Sequence, residues 1–122
     1  MASPAEFRKL ALSLPETTEK SHFGHPDFRV NNKIFAGLSD KPQRGSLKLP
    51  PARQRALLSA EPRAFEPAAG AWGRSGWTYV ALERVSSATL RELLLESWRL
   101  IAPAKLAVSF QRARGTKPRT DK

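Results

Sequence analysis

The spacing of apolar residues near the start of the chain predicts an amphipathic helix. Apolar side chains recur at intervals that place them on one helix face: Phe7, Leu10, Ala11 and Leu14. Ser3 can cap the amino end, Pro4 suits the first turn, and Pro15 cannot continue a helix. We therefore predict a first helix over residues 4–14.

A longer apolar stripe near the other end predicts a second helix. Its members again share one face: Leu90, Leu93, Leu94, Trp98 and Ile101. Thr89 with Glu92 is a candidate capping box, and Ser86 or Ser87 is an alternative cap. This helix is predicted over residues 89–100.

Segments rich in aromatic and β-branched residues predict the strands. Asn31-Asn32 predicts a tight hairpin between two of them, because Asn tolerates positive φ. The last strand is apolar on both faces, which is typical of a central strand. In chain order, we predict strands or extended segments over residues 16–23, 28–30, 33–38, 46–49, 65–68 and 77–82.

Prolines and glycines mark the connections between these elements. They predict a turn over residues 24–27 and loops over residues 40–45 and 70–76. Pro51 can open a short helix that extends to residue 60, with Leu57 and Leu58 turned inward. Residues 104–110 are predicted to form one or two further helical turns.

The order of these elements predicts an α+β fold in a single domain. An antiparallel sheet is expected to carry its helices on one face. The domain is predicted to span residues 1–110. Residues 111–122 contain no large apolar residue, and we predict a basic, disordered tail.

The composition excludes several classes of protein. The chain has 122 residues and no cysteine, which excludes disulfides, thiolate metal sites and cysteine nucleophiles. Its start lacks the features of a signal peptide, and no apolar run reaches the about 20 residues of a membrane span. We expect a cytoplasmic monomer with no membrane contact and no cofactor.

The positive charge is concentrated in two stretches of the chain. The net charge is +10, and residues 41–60 carry +5 while residues 97–120 carry +6, both without an acidic residue. The rest of the chain therefore sums to −1. Segregated positive charge favours a polyanionic partner over a general effect on solubility.

One cluster contains residue types that can bind a metal or act in catalysis. His22, His25 and Asp27 lie close together in the sequence. Gly24 and Pro26 indicate a turn here, so we favour a structural role for the histidines and predict no metal site. We find no nucleophile motif and no paired carboxylates, and we predict a protein that is not an enzyme and has no catalytic residue.

A glycine-rich segment lies between Trp72 and Trp77. Exposed backbone N–H groups and Arg74 can cradle a phosphate. The segment is not a P-loop, however, because it lacks Gly-Lys-Ser/Thr and is followed by a predicted strand where a P-loop leads into a helix. A loop with two packed tryptophans is the preferred interpretation. A loop tip that places Arg74 against a phosphate backbone is the alternative.

Blocks of the sequence within residues 5–107 resemble the MmcQ/YjbR family. In order they are the runs Leu14 to Glu19, His22 to Val30 and Lys33 to Ala36, the Trp72-Gly73…Gly76-Trp77 loop, and the run Ser97 to Ala102. The resemblance implies a compact α+β domain, similar to the double-wing DNA-binding domain of a phage transcription factor. It implies no established active site.

The leading hypothesis is a nucleic-acid-binding protein, with DNA as the expected partner and RNA as an alternative. Phosphates are expected to contact a basic surface made of Arg29, Lys33, Lys41, Arg44, Lys48, Arg53 and Arg74. The second hypothesis is a non-catalytic adaptor for a protein or small molecule, with a pocket around His22, His25 and Trp77. Exposed cations clustered on one face favour the first hypothesis, and a cavity reached by the histidines and Trp77 favours the second.

Overall fold

A six-stranded antiparallel sheet forms the centre of the protein. The computed structural model describes residues 1–40 and 43–110. The strands lie in the order β1-β2-β3-β4-β6-β5. Their bounds are β1 (Thr17–His22), β2 (His25–Val30), β3 (Lys33–Asp40), β4 (Gln43–Lys48), β5 (Phe65–Pro67) and β6 (Trp77–Val80).

Four α-helices and one 3-10 turn complete the elements up to residue 101, and residues 104–110 are also helical. The four helices are α1 (Pro4–Leu12), α2 (Pro51–Ala60), α3 (Gly70–Arg74) and α4 (Ser87–Ile101), and the 3-10 turn is Leu82–Arg84. Helices α1 and α4 pack on one face of the sheet, so the predicted single-domain α+β fold is confirmed. The predicted disordered tail lies outside the described residues.

The long helices begin where small polar residues cap them. The Ser3 hydroxyl accepts a hydrogen bond from the Glu6 backbone N–H at 3.2 Å. The Ser86 hydroxyl accepts one from the Thr89 N–H at 3.1 Å, so Ser86 is the cap among the alternatives considered. Helix α4 therefore begins at Ser87, two residues before the predicted start.

The core lies between the helices and one face of the sheet. Leu94 and Trp98 of α4 are buried there with Phe28, Phe35 and Leu47 of the strands. The indole N–H of Trp98 donates to the Pro15 carbonyl at 3.0 Å, which satisfies its polar group and ties α4 to the end of α1.

Two tight turns connect the first three strands. Asn31 and Asn32 have φ values of 54° and 62°, which confirms the predicted hairpin. Phe23 and Gly24 form a second turn of this kind, with φ values of 50° and 78°. The predicted turn over residues 24–27 is therefore wrong, because β2 already begins at His25.

A second local prediction is also wrong. The glycine-rich segment over residues 70–76 contains helix α3 rather than a continuous loop. Gly73 permits this, because a Cβ there would lie 2.0 Å from the Ala68 carbonyl oxygen. The buried Gln54 amide nitrogen lies 3.1 Å from the Gly73 oxygen and 3.0 Å from the Trp77 oxygen. Helix α3 is thereby held close to the start of β6.

None of the described helices combines the length and apolar character needed to cross a lipid bilayer.

Two glycines with positive φ allow a test of this packing. Gly76 has φ of +110°, and a Cβ would lie 1.9 Å from the Leu49 carbonyl oxygen. Gly70 has φ of +61° and nothing within 4 Å of a built Cβ. We expect Gly76→Ala to lower the free energy of unfolding by at least about 3 kcal/mol, because clash adds to strain. Gly70→Ala, the matched control, is expected to cost about 1 kcal/mol from the backbone alone. Urea denaturation measures both, and equal losses would contradict the packing described here.

Candidate ligand-binding groove on the uncovered face of the sheet

The face of the sheet opposite α1 and α4 contains a row of small and polar residues. Asp27 lies opposite Gly37, Gly37 opposite Ser46, and Ser46 opposite Tyr79. Partners across an antiparallel pair point to the same face, so these four residues follow one another across the sheet. Gly37 has no side chain and a Cβ would lie 3.1 Å from the Ser46 hydroxyl oxygen, so the row forms a shallow floor.

A groove runs along this floor and has an apolar end. This end has a volume of about 300 Å³. Helix α3 contributes Trp72, and strand β6 contributes Trp77 and Tyr79. Ile34, Ala68 and Ala69 complete the apolar lining, and His22 and Asp27 lie at its margin. Aromatic and aliphatic walls with a few polar groups are typical of a site for an organic ligand.

The polar end of the groove continues from the same floor. It has a volume of about 270 Å³ and shares His22, Gly37, Ser46 and Tyr79 with the apolar end. His25, Ser39 and Arg44 are among its other lining residues. The groove therefore joins an aromatic wall to a wall of hydrogen-bonding and basic groups.

A fully buried carboxylate, Asp27, organises the polar groups at the centre of the groove. It accepts two hydrogen bonds from Arg29, from Nε at 2.7 Å and from Nη2 at 3.2 Å. Its other contact is with Nδ1 of His22 at 2.8 Å. A carboxylate only accepts hydrogen bonds, so Nδ1 is the donor, and Nε2 is left for a ligand.

These contacts change the acidity of the pair. The hydrogen bond from Arg29, aided by the one from His22, holds the pKa of Asp27 below its usual value of 3.8, although burial alone would raise it. The same hydrogen bond raises the pKa of Arg29. Asp27 is therefore ionised at neutral pH, and the charge of Arg29 is paired with it.

Two cations of β4 are held in a different way. The guanidinium carbon of Arg44 lies 3.5 Å from the centre of the Tyr79 ring. The Lys48 ammonium lies 5.9 Å from the centre of the Trp77 ring. The ring face attracts a cation but does not neutralise it. Neither side chain forms an ion pair with an acid of the described residues.

The comparison with known proteins agrees with this architecture. The YjbR family model matches residues 12–100. The chain belongs to the YjbR family. The crystal structure of Deinococcus radiodurans protein DR2400, described by the domain DUF419, is 28% identical with a TM-score of 0.72. That similarity covers 83% of this chain and 79% of the other. A search of curated proteins finds no match.

The family resemblance found in the sequence is thus confirmed. Neither the YjbR description nor the DUF419 description names a ligand or a reaction. The function of this YjbR protein has to be argued from the groove itself.

The structure separates the basic residues that the sequence grouped together. Arg29, Arg44 and Lys48 lie on the uncovered face, but only the last two are without a carboxylate partner. Arg53 contacts Glu96 of α4, with Nε 2.9 Å and Nη2 3.2 Å from the carboxylate oxygens. Glu96 is therefore half-buried and paired.

The remaining basic residues of the sequence hypothesis lie apart from this pair. Lys33 is opposite the core residue Val30, so it belongs to the helix-covered side at the end of a strand. Arg74 is exposed at the end of α3. Lys41 lies outside the described residues.

Sequence reasoning missed Tyr79 as a member of the site. The sequence predicts a strand that is apolar on both faces, but within β6 only Thr78 and Val80 are buried, whereas Trp77 and Tyr79 are half-buried on the groove side. The alternation of Thr and Val with the two aromatic residues was the available signal.

A metal-binding role for the histidines gains no support from the geometry. Within residues 1–40 and 43–110, no group of three His, Cys, Asp or Glu side chains is placed to hold an ion. His22 instead contacts the side-chain carboxylate of Asp27.

Replacement of Asp27 tests the ion-pair centre. We expect Asp27→Asn to lower the free energy of unfolding by about 2 kcal/mol at neutral pH, because Arg29 loses its ionised partner. The folded-state pKa is depressed, so this stabilisation is present above pH 3.8 and is lost as the pH falls through the folded-state pKa. Urea unfolding across this pH range should therefore show that the difference in free energy of unfolding between the two proteins shrinks as the pH falls. Asp40→Asn, at an exposed carboxylate, is the matched control, and a difference that does not vary with pH would contradict the assignment.

Proposed function

We propose that this protein binds nucleic acid through the uncovered face of its sheet. The observation that supports this most directly is the pair of cations on β4, Arg44 over Tyr79 and Lys48 over Trp77. Each is held in place by an aromatic ring and keeps its full positive charge. Such groups suit phosphate contacts, which supply most of the affinity of nucleic-acid binding.

The acids of the described residues support the same proposal by their placement. Asp27, the buried acid of this face, is matched by Arg29. Glu19 and Glu96 are paired with Arg8 and Arg53. Glu66, opposite Tyr79 on the edge strand β5, is an exposed acid near the groove. The positive charge of β4 is therefore opposed by little negative charge on its own face.

We propose binding without catalysis. His22 and Asp27 are two members of a familiar catalytic triad, and Ser46 lines the same groove. No hydrogen bond joins Ser46 to His22 among the described residues, so the serine has no base to activate it. The histidine is better explained as a fixed hydrogen-bonding group of a binding site.

A non-catalytic adaptor for a small organic molecule is the second candidate function. The groove favours it, because its apolar end of about 300 Å³ is reached by His22 and Trp77. It becomes the preferred function if nucleic acid does not bind near physiological salt. Planar aromatic compounds should then raise the melting temperature of the protein, and Trp77→Ala should remove that effect.

Charge reversal on β4 tests the leading function. We expect Arg44→Glu with Lys48→Glu to weaken DNA binding about tenfold or more near physiological salt, because phosphate contacts become repulsive. Fluorescence anisotropy over a salt series measures this. Each lost contact should also reduce the slope of log affinity against log salt by about 0.7 to 0.9.

A matched control separates location from net charge. Arg55→Glu with Arg91→Glu makes the same change in charge at exposed positions on α2 and α4. Equal losses of DNA affinity in the two double variants would contradict the assignment of β4 as the binding surface. Binding that survives both pairs but disappears when residues 111–122 are removed would transfer the activity to that segment.

A further inference from the structure

We propose that the apolar end of the groove holds an unpaired base, so that this protein binds single-stranded nucleic acid in preference to duplex. The inference rests on the proposed function, because the same cations of β4 would contact the phosphates. The inference adds the class of ligand, which is a nucleic-acid strand with at least one unpaired base that can unstack from its neighbours.

The first step is the environment of Trp72. Its side chain is 68% exposed although it lines the apolar end of the groove. Among the described residues it makes no ring contact with another aromatic side chain. A large exposed indole that contacts no other aromatic ring leaves a planar surface available for stacking. Stacking on aromatic side chains is the usual way in which proteins hold the bases of single strands.

The second step is the fixed position of this indole. Gln54 anchors the carbonyl groups of Gly73 and Trp77, and the absence of a Cβ at Gly73 lets α3 approach Ala68. Trp72 and Trp77 are therefore presented by anchored backbone. A preorganised wall loses little conformational freedom when a planar group enters.

The third step is the position of the cations beside the aromatic wall. Lys48 lies over Trp77, and Arg44 lies over Tyr79. Arg44 and Lys48 point to the same face, four residues apart on β4, which corresponds to about 13 Å along the strand. A strand can thus place phosphates on β4 while one of its bases lies in the groove.

The fourth step is the hydrogen-bonding capacity of the groove. The Asp27 contact leaves Nε2 of His22 for a ligand, and the Ser46 hydroxyl lines both ends. The Watson–Crick edge of a base carries donors and acceptors that are free only when the base is unpaired. A duplex offers its phosphates to β4 but no free base to the groove.

The experiment compares ligands of equal length and different base content. Fluorescence anisotropy of the full chain is measured with labelled oligothymidylate of about 12 nucleotides, an abasic strand of the same length, and a duplex. We expect oligothymidylate to bind at least about fivefold more tightly than the abasic strand. It should also bind more tightly than the duplex, although the higher charge density of a duplex favours duplex by electrostatics alone.

Variants at two exposed aromatic residues identify the stacking surface. We expect Trp72→Ala to weaken oligothymidylate binding at least about fivefold and to leave the abasic strand unaffected, with Trp72→Phe restoring most of the loss. Phe23→Ala is the matched control, because Phe23 is 93% exposed and lines neither end of the groove. This variant should bind as the unaltered chain does.

The outcomes distinguish this inference from the proposed function. One outcome is that the affinities of the three ligands follow their charge density, that charge reversal on β4 weakens binding of each, and that Trp72→Ala weakens none. The base site is then wrong, and the nucleic-acid function stands. If no ligand binds, both fail. If Trp72→Ala weakens binding of the abasic strand as much as binding of oligothymidylate, the indole does not stack on a base, and the groove is wrong as the base site.

Discussion

The apolar stripe of α4 packs on the middle of the sheet, and this contact decides which side of each strand is left uncovered. Leu94 and Trp98 are almost completely buried in it. Side chains on a strand alternate between faces, so burial of one set leaves the other set free. On β4, Leu47 points into the core, and Arg44 and Lys48 therefore point away from it. A shift of one residue in the register would exchange the two sets, so the helix packing also determines the groove.

The sequence allowed most of the fold to be predicted because its signals are local. The stripe of α4, the Asn31-Asn32 turn and the proline-bounded α2 all follow from neighbouring residues. The errors arose at positions where the residue type does not reveal the backbone conformation or the close packing that the chain adopts. Phe23 adopts a positive φ that an aromatic residue rarely takes, which moved the turn away from residues 24–27. Helix α3 can pack against Ala68 because Gly73 has no Cβ. The glycine content of this segment predicts a loop and does not reveal that contact.

The candidate site was harder to predict, because charge counted along a sequence does not distinguish a free cation from a paired one. Arg29 and Arg53 contribute to the basic character of the chain as much as Arg44 does. In the folded protein, Arg29 and Arg53 each form a bidentate pair with a carboxylate. Glu96 is 43 residues from Arg53, so that pairing could not be assigned from local pattern. Asp27 is two residues from Arg29, and their pairing depends on both residues lying on strand β2, which begins earlier than the sequence predicts. The sequence therefore grouped paired and unpaired cations into one surface, and it omitted Tyr79 from the groove.

The contrast between Arg29 and Arg44 explains why an aromatic support suits a binding surface. A carboxylate fixes a guanidinium strongly, but a phosphate must then compete with that carboxylate for the same donors. An aromatic ring orients the cation through its face and leaves the donors of its edge free for a ligand. The uncovered sheet face contains both arrangements: Asp27 holds Arg29 as a structural pair, and Tyr79 holds Arg44 at the groove. The residues that hold a cation thus bear on its role: the carboxylate beside Arg29 fits a structural role, and the aromatic ring beside Arg44 fits the ligand contact that we propose for it.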